Sequence, residues 1–252
     1  MFWARANAGD PAVTLVDRLV GEGQTVVDVG ADLGLYSSKL AELVGPSGRV
    51  HAFEPNPARH AGLAALAEAQ PNIEVHPVGL SDHEGKEELH VPVKEGEPVL
   101  ACGRLSPPPT DAEGVRWERR AVQVSTLDRE LRAERSRIGF VKCDVEGHEL
   151  AVLRGAEETL REALPALLVE IEERHSEAGV GATFEHLLGL GYSGWAIGPE
   201  GPRPLDRFDL ERDQLAFVSG FELGRMPSGY INDFLFAPPS LDVERLAPSG
   251  PR

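Results

Sequence analysis

Two acids and two glycines fall within seven residues of the stretch VVDVGADLGLYSS (residues 26–38): Asp28, Gly30, Asp32 and Gly34. Three apolar β-formers surround the first acid, and a helical pattern follows the second glycine. Glycines at a strand-to-helix turn let a ligand approach the backbone. A phosphate-binding turn would carry Gly-x-Gly-x-x-Gly or Gly-x-x-x-x-Gly-Lys, whose amides and lysine gather negative charge. Neither pattern is present, and two carboxylates in the same turn repel phosphate. A third acid, Glu54, ends the next apolar run, RVHAFEP. Open α/β sheets place a carboxylate there against ribose hydroxyls. Together these residues describe a site for a nucleoside that lacks phosphates and carries positive charge.

S-adenosylmethionine, with an ammonium, a sulfonium and a nucleoside, meets that description. The bland alternative, in which Asp28 and Glu54 cap helices or pair with arginines, explains each acid alone. It does not explain both acids together with the glycines.

Strand and helix patterns alternate along the chain as such a site requires. TVVDVGA (residues 25–31), RVHAFEP (49–55), IEVHPVGL (73–80), FVKCDVE (140–146) and ALLVEIE (166–172) are short apolar runs of the kind buried parallel strands show. Between them, Leu35, Leu40, Leu43 and Val44 recur at helical spacing. Asn56 and Pro57 suit a helix cap and first turn. Leu150, Leu153, Ala156, Leu160 and Leu164 form one stripe that Pro165 ends. The pattern predicts a parallel sheet with right-handed crossovers. His90–Gly114 reads as a long Pro- and Gly-rich insertion and Gly198–Gln214 as a second polar loop. The tail from Pro238 (residues 238–252) reads as frayed, leaving residues 1–237 as one domain. His51, in an apolar strand, reads as a core histidine.

The 252 residues carry a formal charge of -16 and are 41% hydrophobic, enough for a substantial core. Such acidity argues against nucleic acid as a partner. No apolar run reaches the ~20 residues of a membrane span. Cys102 and Cys143 are far apart and have no metal-ligand spacing, and the opening residues hold no apolar core of signal-peptide length. A cytoplasmic chain without a membrane or nucleic-acid partner is expected, with self-association left open.

DVGADLGLYS, FEPNP, VGLSD, STLD, VKCDVEGHELAVLRGA and LLVEIEERH occur in the order and near the spacing of the FkbM-type methyltransferases, which the chain resembles from about Thr25 to His175. The resemblance implies an α/β, Rossmann-like class I methyltransferase fold. Its seven-stranded, mostly parallel sheet has helices on both faces and an antiparallel last strand, here NDFLFA. It also implies transfer of a methyl group from S-adenosylmethionine to a hydroxyl of a sugar or other natural product. N-methylation of an amine or peptide, and a cofactor-binding module without catalysis, are the alternatives.

Carried over by position, the resemblance makes Asp28, Gly30 and Gly34 the cofactor turn and Glu54 the ribose ligand. It sets Ser81 and Asp82 beside the adenine, with Asn56 near the nucleoside. Asp32 departs from the family's usual asparagine. The sheet order reverses between the first and fourth strands, so the acceptor site falls at DVEGHE. There Asp144, Glu146 and His148 would surround the acceptor, Asp144 also bordering the cofactor, and Glu170 would arrive from the fifth strand. His148, at a helix start, is expected to be neutral and to accept the proton while Asp144 orients the hydroxyl. A divalent metal held by the same acids is the less favoured alternative. The His90–Gly114 insertion, with Trp117 just after it, could form a lid whose aromatic ring packs on an apolar sugar face; a disordered insertion is the alternative.

Overall fold

A computed structural model describes residues 11–105, 115–176, 178–220 and 227–246. Its strands are β1 (Thr25–Val29), β2 (Arg49–Phe53), β3 (Ile73–His76), β4 (Gly79–Leu80), β5 (Gly85–Lys94), β6 (Glu97–Pro98), β7 (Arg116–Ser125), β8 (Ile138–Cys143), β9 (Ala166–Glu170), β10 (Ser193–Gly198), β11 (Gly201–Pro204) and β12 (Asp233–Ala237). The central sheet has the order β11-β10-β12-β9-β8-β1-β2-β3. Strands β3, β2, β1, β8 and β9 run parallel, and β12 is antiparallel between β9 and β10.

Alternate residues of the central strands feed two cores. Val27, Val29, Phe53, Val141 and Leu167 face one layer, while Val26, Val50, Ala52, Phe140 and Leu168 face the other. Each layer is closed by helices, which is why these strands read as continuous apolar runs rather than as alternating ones.

The antiparallel last strand is where the sequence placed it, but the sheet has eight strands rather than seven. The extra one, β11, comes from the stretch read as a polar loop. Gly201, with φ 102°, turns the chain so that Gly201–Pro204 pairs with β10, and Leu210–Asp213 adds a short helix capped by Asp209. The run 73–80 is also not one strand. It splits into β3 in the central sheet and β4 in a second sheet of order β4-β7-β5-β6. Much of the expected insertion belongs to that second sheet: β5 pairs with β7 from Gly85 to Val93. Leu89, Val91 and Val122 form a small core there, with Leu100 and Leu105 packed against it. Residues 106–114 lie outside the described residues.

The single helix expected over residues 150–164 is two, Glu149–Arg154 and Glu157–Ala163. They part at Gly155, where a Cβ would stand 1.9 Å from the Ser81 carbonyl oxygen. In the tail, Val243–Leu246 form a short 3-10 helix whose Val243 and Leu246 are buried against the second core; residues 247–252 lie outside the described residues. No described helix is long and apolar enough to cross a membrane.

Candidate active site

The carboxyl ends of β1, β2 and β8 meet beneath the second sheet. They form a cleft lined by Gly30, Asp32, Glu54, Asn56, Asp144 and Glu146 among others. Its apolar walls are Val29 and Phe53 from the central sheet, and Leu80 and Leu89 from the second sheet with Leu100 and Leu105. Among the described residues four carboxylates line it, and no Lys, Arg or His does.

Backbone geometry at the β1 turn explains its glycines. Gly30 (φ 82°) and Gly34 (φ 79°) are left-handed, and both Gly30 and Ala31 donate to the Phe53 carbonyl, which ties the turn to β2. Asp32 is left-handed as well (φ 46°), a conformation that Asp and Asn tolerate best among residues with a Cβ. The departure from asparagine therefore preserves the turn and adds an ion pair with Arg59.

Glu54 is buried, and each of its oxygens accepts one backbone N–H: Oε2 from Asp32 at 2.9 Å and Oε1 from Asn56 at 2.7 Å. Burial pushes its pKa up to about 7, with those two bonds opposing the rise. Two amides hold the carboxylate rigid, yet each oxygen keeps a lone pair for the cleft. Asn56 caps the following helix through Oδ1, which accepts from Ala58 N at 3.1 Å and from Arg120 at 2.8 Å. Its Nδ2 is buried and has no hydrogen-bond partner among the described residues. Asp28 does not line the cleft. It is buried beneath the turn, where Ser37 Oγ donates to it at 2.5 Å, and burial raises its pKa.

Asp144 and Glu146 face the cleft from the end of β8. Lys142 Nζ, 2% exposed, lies 2.9 Å from Asp144 Oδ2 and 4.8 Å from the Tyr36 ring centroid. Burial pulls the Lys142 pKa down, but Asp144, with Glu170 and Asp233 beyond it, outweighs burial and keeps the ammonium charged. Glu170 joins this group from β9. Burial, then Asp144 and Asp233, push its pKa well up, and its Oε1 accepts from Asn232 at 2.7 Å. Glu146 has φ 55°, and its Oε2 lies 2.9 Å from Nδ1 of His175. Left-handed backbone at a non-glycine residue is a costly conformation that concentrates at functional sites.

Other expected residues stand apart from the cleft. Ser81 is fully buried, and its Oγ meets His148 Nε2 at 2.9 Å; neither lines the cleft. Asp82 is exposed and pairs with His83. Trp117 sits on β7 opposite Pro92, and the cleft is covered instead by Leu100, Ala101, Gly103 and Leu105. Those four residues belong to the His90–Gly114 stretch that the sequence offered as a lid; sequence reasoning missed Arg59, Arg120 and the grouping of Lys142 with Glu170 and Asp233. The last was hidden because Lys142 and Asp233 are far apart in sequence and meet only through the sheet.

A family model described as a methyltransferase FkbM domain matches residues 28–193. Among solved structures, the chain is similar to a methyltransferase FkbM from Methylobacillus flagellatus KT, with a TM-score of 0.55 and 17% identity over 92% of this chain and 49% of that one. The chain thus spans about half the length of that protein. It is also similar to Aeropyrum pernix fibrillarin in complex with natively bound S-adenosyl-L-methionine (TM-score 0.47, 16% identity, 90% of this chain and 73% of that one). A third is an S-adenosylmethionine-dependent O-methyltransferase from Thermotoga maritima (TM-score 0.44, 13% identity, 91% and 66%). No curated protein matches. The fold is that of the class I methyltransferases.

Proposed function

The chain belongs to the FkbM methyltransferase family, and from that membership we propose that it transfers a methyl group from S-adenosylmethionine to a hydroxyl of a small molecule, a sugar or another natural product. The observation that carries the reading is the cleft itself, with four carboxylates and no basic side chain among its described lining residues. Such a lining attracts a sulfonium and an ammonium and repels phosphate, which disfavours a dinucleotide.

The residues present fit the cofactor. Glu54 offers its two remaining lone pairs to the ribose hydroxyls. The buried Nδ2 of Asn56, otherwise without a partner among the described residues, has a polar group of the nucleoside to bond. Phe53, Leu80, Leu89 and Leu105 form apolar walls for a flat base. When bound, the sulfonium supplies an electrophilic methyl carbon: the acceptor oxygen bonds to that carbon as the carbon–sulfur bond breaks, and sulfur keeps the electron pair.

This chain's own contribution is alignment and proton removal. Alignment alone is worth ~7–11 kcal/mol in favourable cases. Asp144, anchored through one oxygen to Lys142, presents the other to the acceptor hydroxyl and accepts its proton. Glu146, backed by His175, holds a neighbouring polar group of the acceptor. Because His148 is bonded to Ser81 and set back from the cleft, the proton-accepting role expected of it passes to Asp144, and His148 supports the β8 end.

Incubating the chain and labelled S-adenosylmethionine with a panel of hydroxyl and amine acceptors, read by mass spectrometry, tests the proposal. Methyl ethers support it. Methylated amines with untouched hydroxyls replace it with N-methylation. Cofactor binding without transfer to any acceptor favours a non-catalytic module.

A further inference from the structure

Away from the cleft, at the edge of the central sheet, β2 and β3 bring two imidazoles and a carboxylate together. In their parallel register His51 stands opposite Glu74, and Phe53 opposite His76. We propose that His51, Glu74 and His76 bind one divalent transition-metal cation of the zinc class.

Nδ1 of His51 and Nε2 of His76 are 3.0 Å apart. The two carboxylate oxygens of Glu74 lie 3.8 Å from the first nitrogen and 3.9 Å from the second. Zinc ~2.1 Å from its nitrogen and oxygen ligands sets them about 3.4 Å apart in a tetrahedral site. The nitrogen pair is already near that spacing. Glu74, whose side chain is 50% exposed, must move about half an ångström to complete it and share Oε2 with Arg49, which donates to it at 3.1 Å on the surface. Two imidazoles with one carboxylate select zinc, cobalt or nickel over magnesium and calcium, which prefer oxygen ligands throughout.

The surroundings preorganise the ligands. The Phe53 ring stacks on His76 with centroids 4.3 Å apart and planes 13° apart, which fixes the imidazole plane. Burial pushes the pKa of both histidines down, which favours the neutral, ligating form. A hydrogen bond between the rings accounts for the 3.0 Å contact, but it leaves Nε2 of His51 buried without a partner, with Glu134 Oε2 3.9 Å away. A cation on Nδ1 puts the ring proton on Nε2, facing that carboxylate, which is the usual arrangement of a metal-bound histidine and its orienting acid. The bound ion would fasten β3, the terminal strand of the sheet, to β2. It would also touch the cleft indirectly, since Phe53 both stacks on His76 and lines the cleft.

The test titrates the intact chain with Zn²⁺ against a chromogenic chelator and follows thermal unfolding with and without Zn²⁺, for the wild type, Glu74→Gln and His76→Gln. Glu74 is half exposed, so Glu74→Gln leaves the core intact and keeps the test decisive should His76→Gln, which loses the stack on Phe53, lower stability by itself. The expected result is one equivalent of Zn²⁺ bound by the wild type, with a raised Tm. In each variant affinity falls about tenfold or more and the rise in Tm shrinks accordingly. Absence of stoichiometric binding by the wild type overturns the assignment, as does equal affinity in the wild type and either variant.

Discussion

Gly30 and Asp144 abut across β1 and β8: a Cβ on Gly30 would stand 1.9 Å from the Asp144 carbonyl oxygen. The turn proposed to hold the cofactor and the acid proposed to take the acceptor's proton therefore share one mouth, with no room between their backbones. Gly30→Ala must push the β8 end away and also accept φ 82°. It should cost at least about 2 kcal/mol of stability by denaturant unfolding, and cofactor affinity should fall with it. Wild-type stability in this variant would mean that the two strand ends are not in contact.

Glu54 couples cofactor binding to pH. Its carboxyl is pushed up to about 7 by burial, with Asp32 adding to the rise and Arg59 opposing it, and the ionised form is the one that accepts ribose hydroxyls. Affinity for S-adenosylmethionine should therefore rise about tenfold from pH 6 to pH 8, whereas Glu54→Gln should bind more weakly and without that slope. Stability of the free chain has the opposite sign. A raised folded-state pKa means the folded state holds the proton more tightly, so this contribution is full below about 4.5 and is lost as pH rises through about 7. Glu149, buried and also pushed up to about 7, acts in the same direction. Calorimetry across pH 5 to 8 checks both trends.

Asp144 and His148 separate cleanly by substitution. Asp144→Asn keeps the shape of the cleft wall but removes the proton acceptor, so turnover should fall about 10²-fold or more. His148→Asn, whose parent side chain bonds Ser81 behind the cleft, should keep turnover within about tenfold of wild type. Steady-state rates on a methylated acceptor decide between them, and the reverse order would return the base to His148.

Lys142, itself buried, is the counter-charge to several half-buried acids. Lys142→Met leaves Asp144, Glu170 and Asp233 facing one another without a cation; because Asp144 is 33% exposed, the loss should fall below the ~3–5 kcal/mol of a fully buried ion pair. Thermal unfolding should show that loss near neutral pH, and it should be smaller in acid, where the carboxylates are protonated.

The legible part of this site lay at strand ends. Gly30 and Glu54 follow directly on apolar runs that are buried on both faces, so their position followed from the runs themselves, whereas Asp28, one residue inside its run, lies buried beneath the turn. Features set by packing between distant segments were not legible. The stripe from Leu150 to Leu164 keeps helical period through Gly155, and only the approach of the Ser81 carbonyl explains the break there. The run from Ile73 to Leu80 reads as one strand because its residues are mostly apolar. Yet β4 leaves the sheet to pair with Ser125 and Val124 of a strand over forty residues on. His51 read as a core histidine because nothing in its own strand announces Glu74 and His76 beside it.

The central claim, a carboxylate-lined cleft that holds a cationic nucleoside, is tested most directly by calorimetric titration of S-adenosylmethionine into the wild-type chain and into Glu54→Ala. One equivalent should bind the wild type, and affinity should drop at least about tenfold in the variant, the scale of two lost hydrogen bonds to a charged group. NAD should not bind either protein. Binding of NAD in place of S-adenosylmethionine, or equal affinity for S-adenosylmethionine in the wild type and Glu54→Ala, would contradict the account.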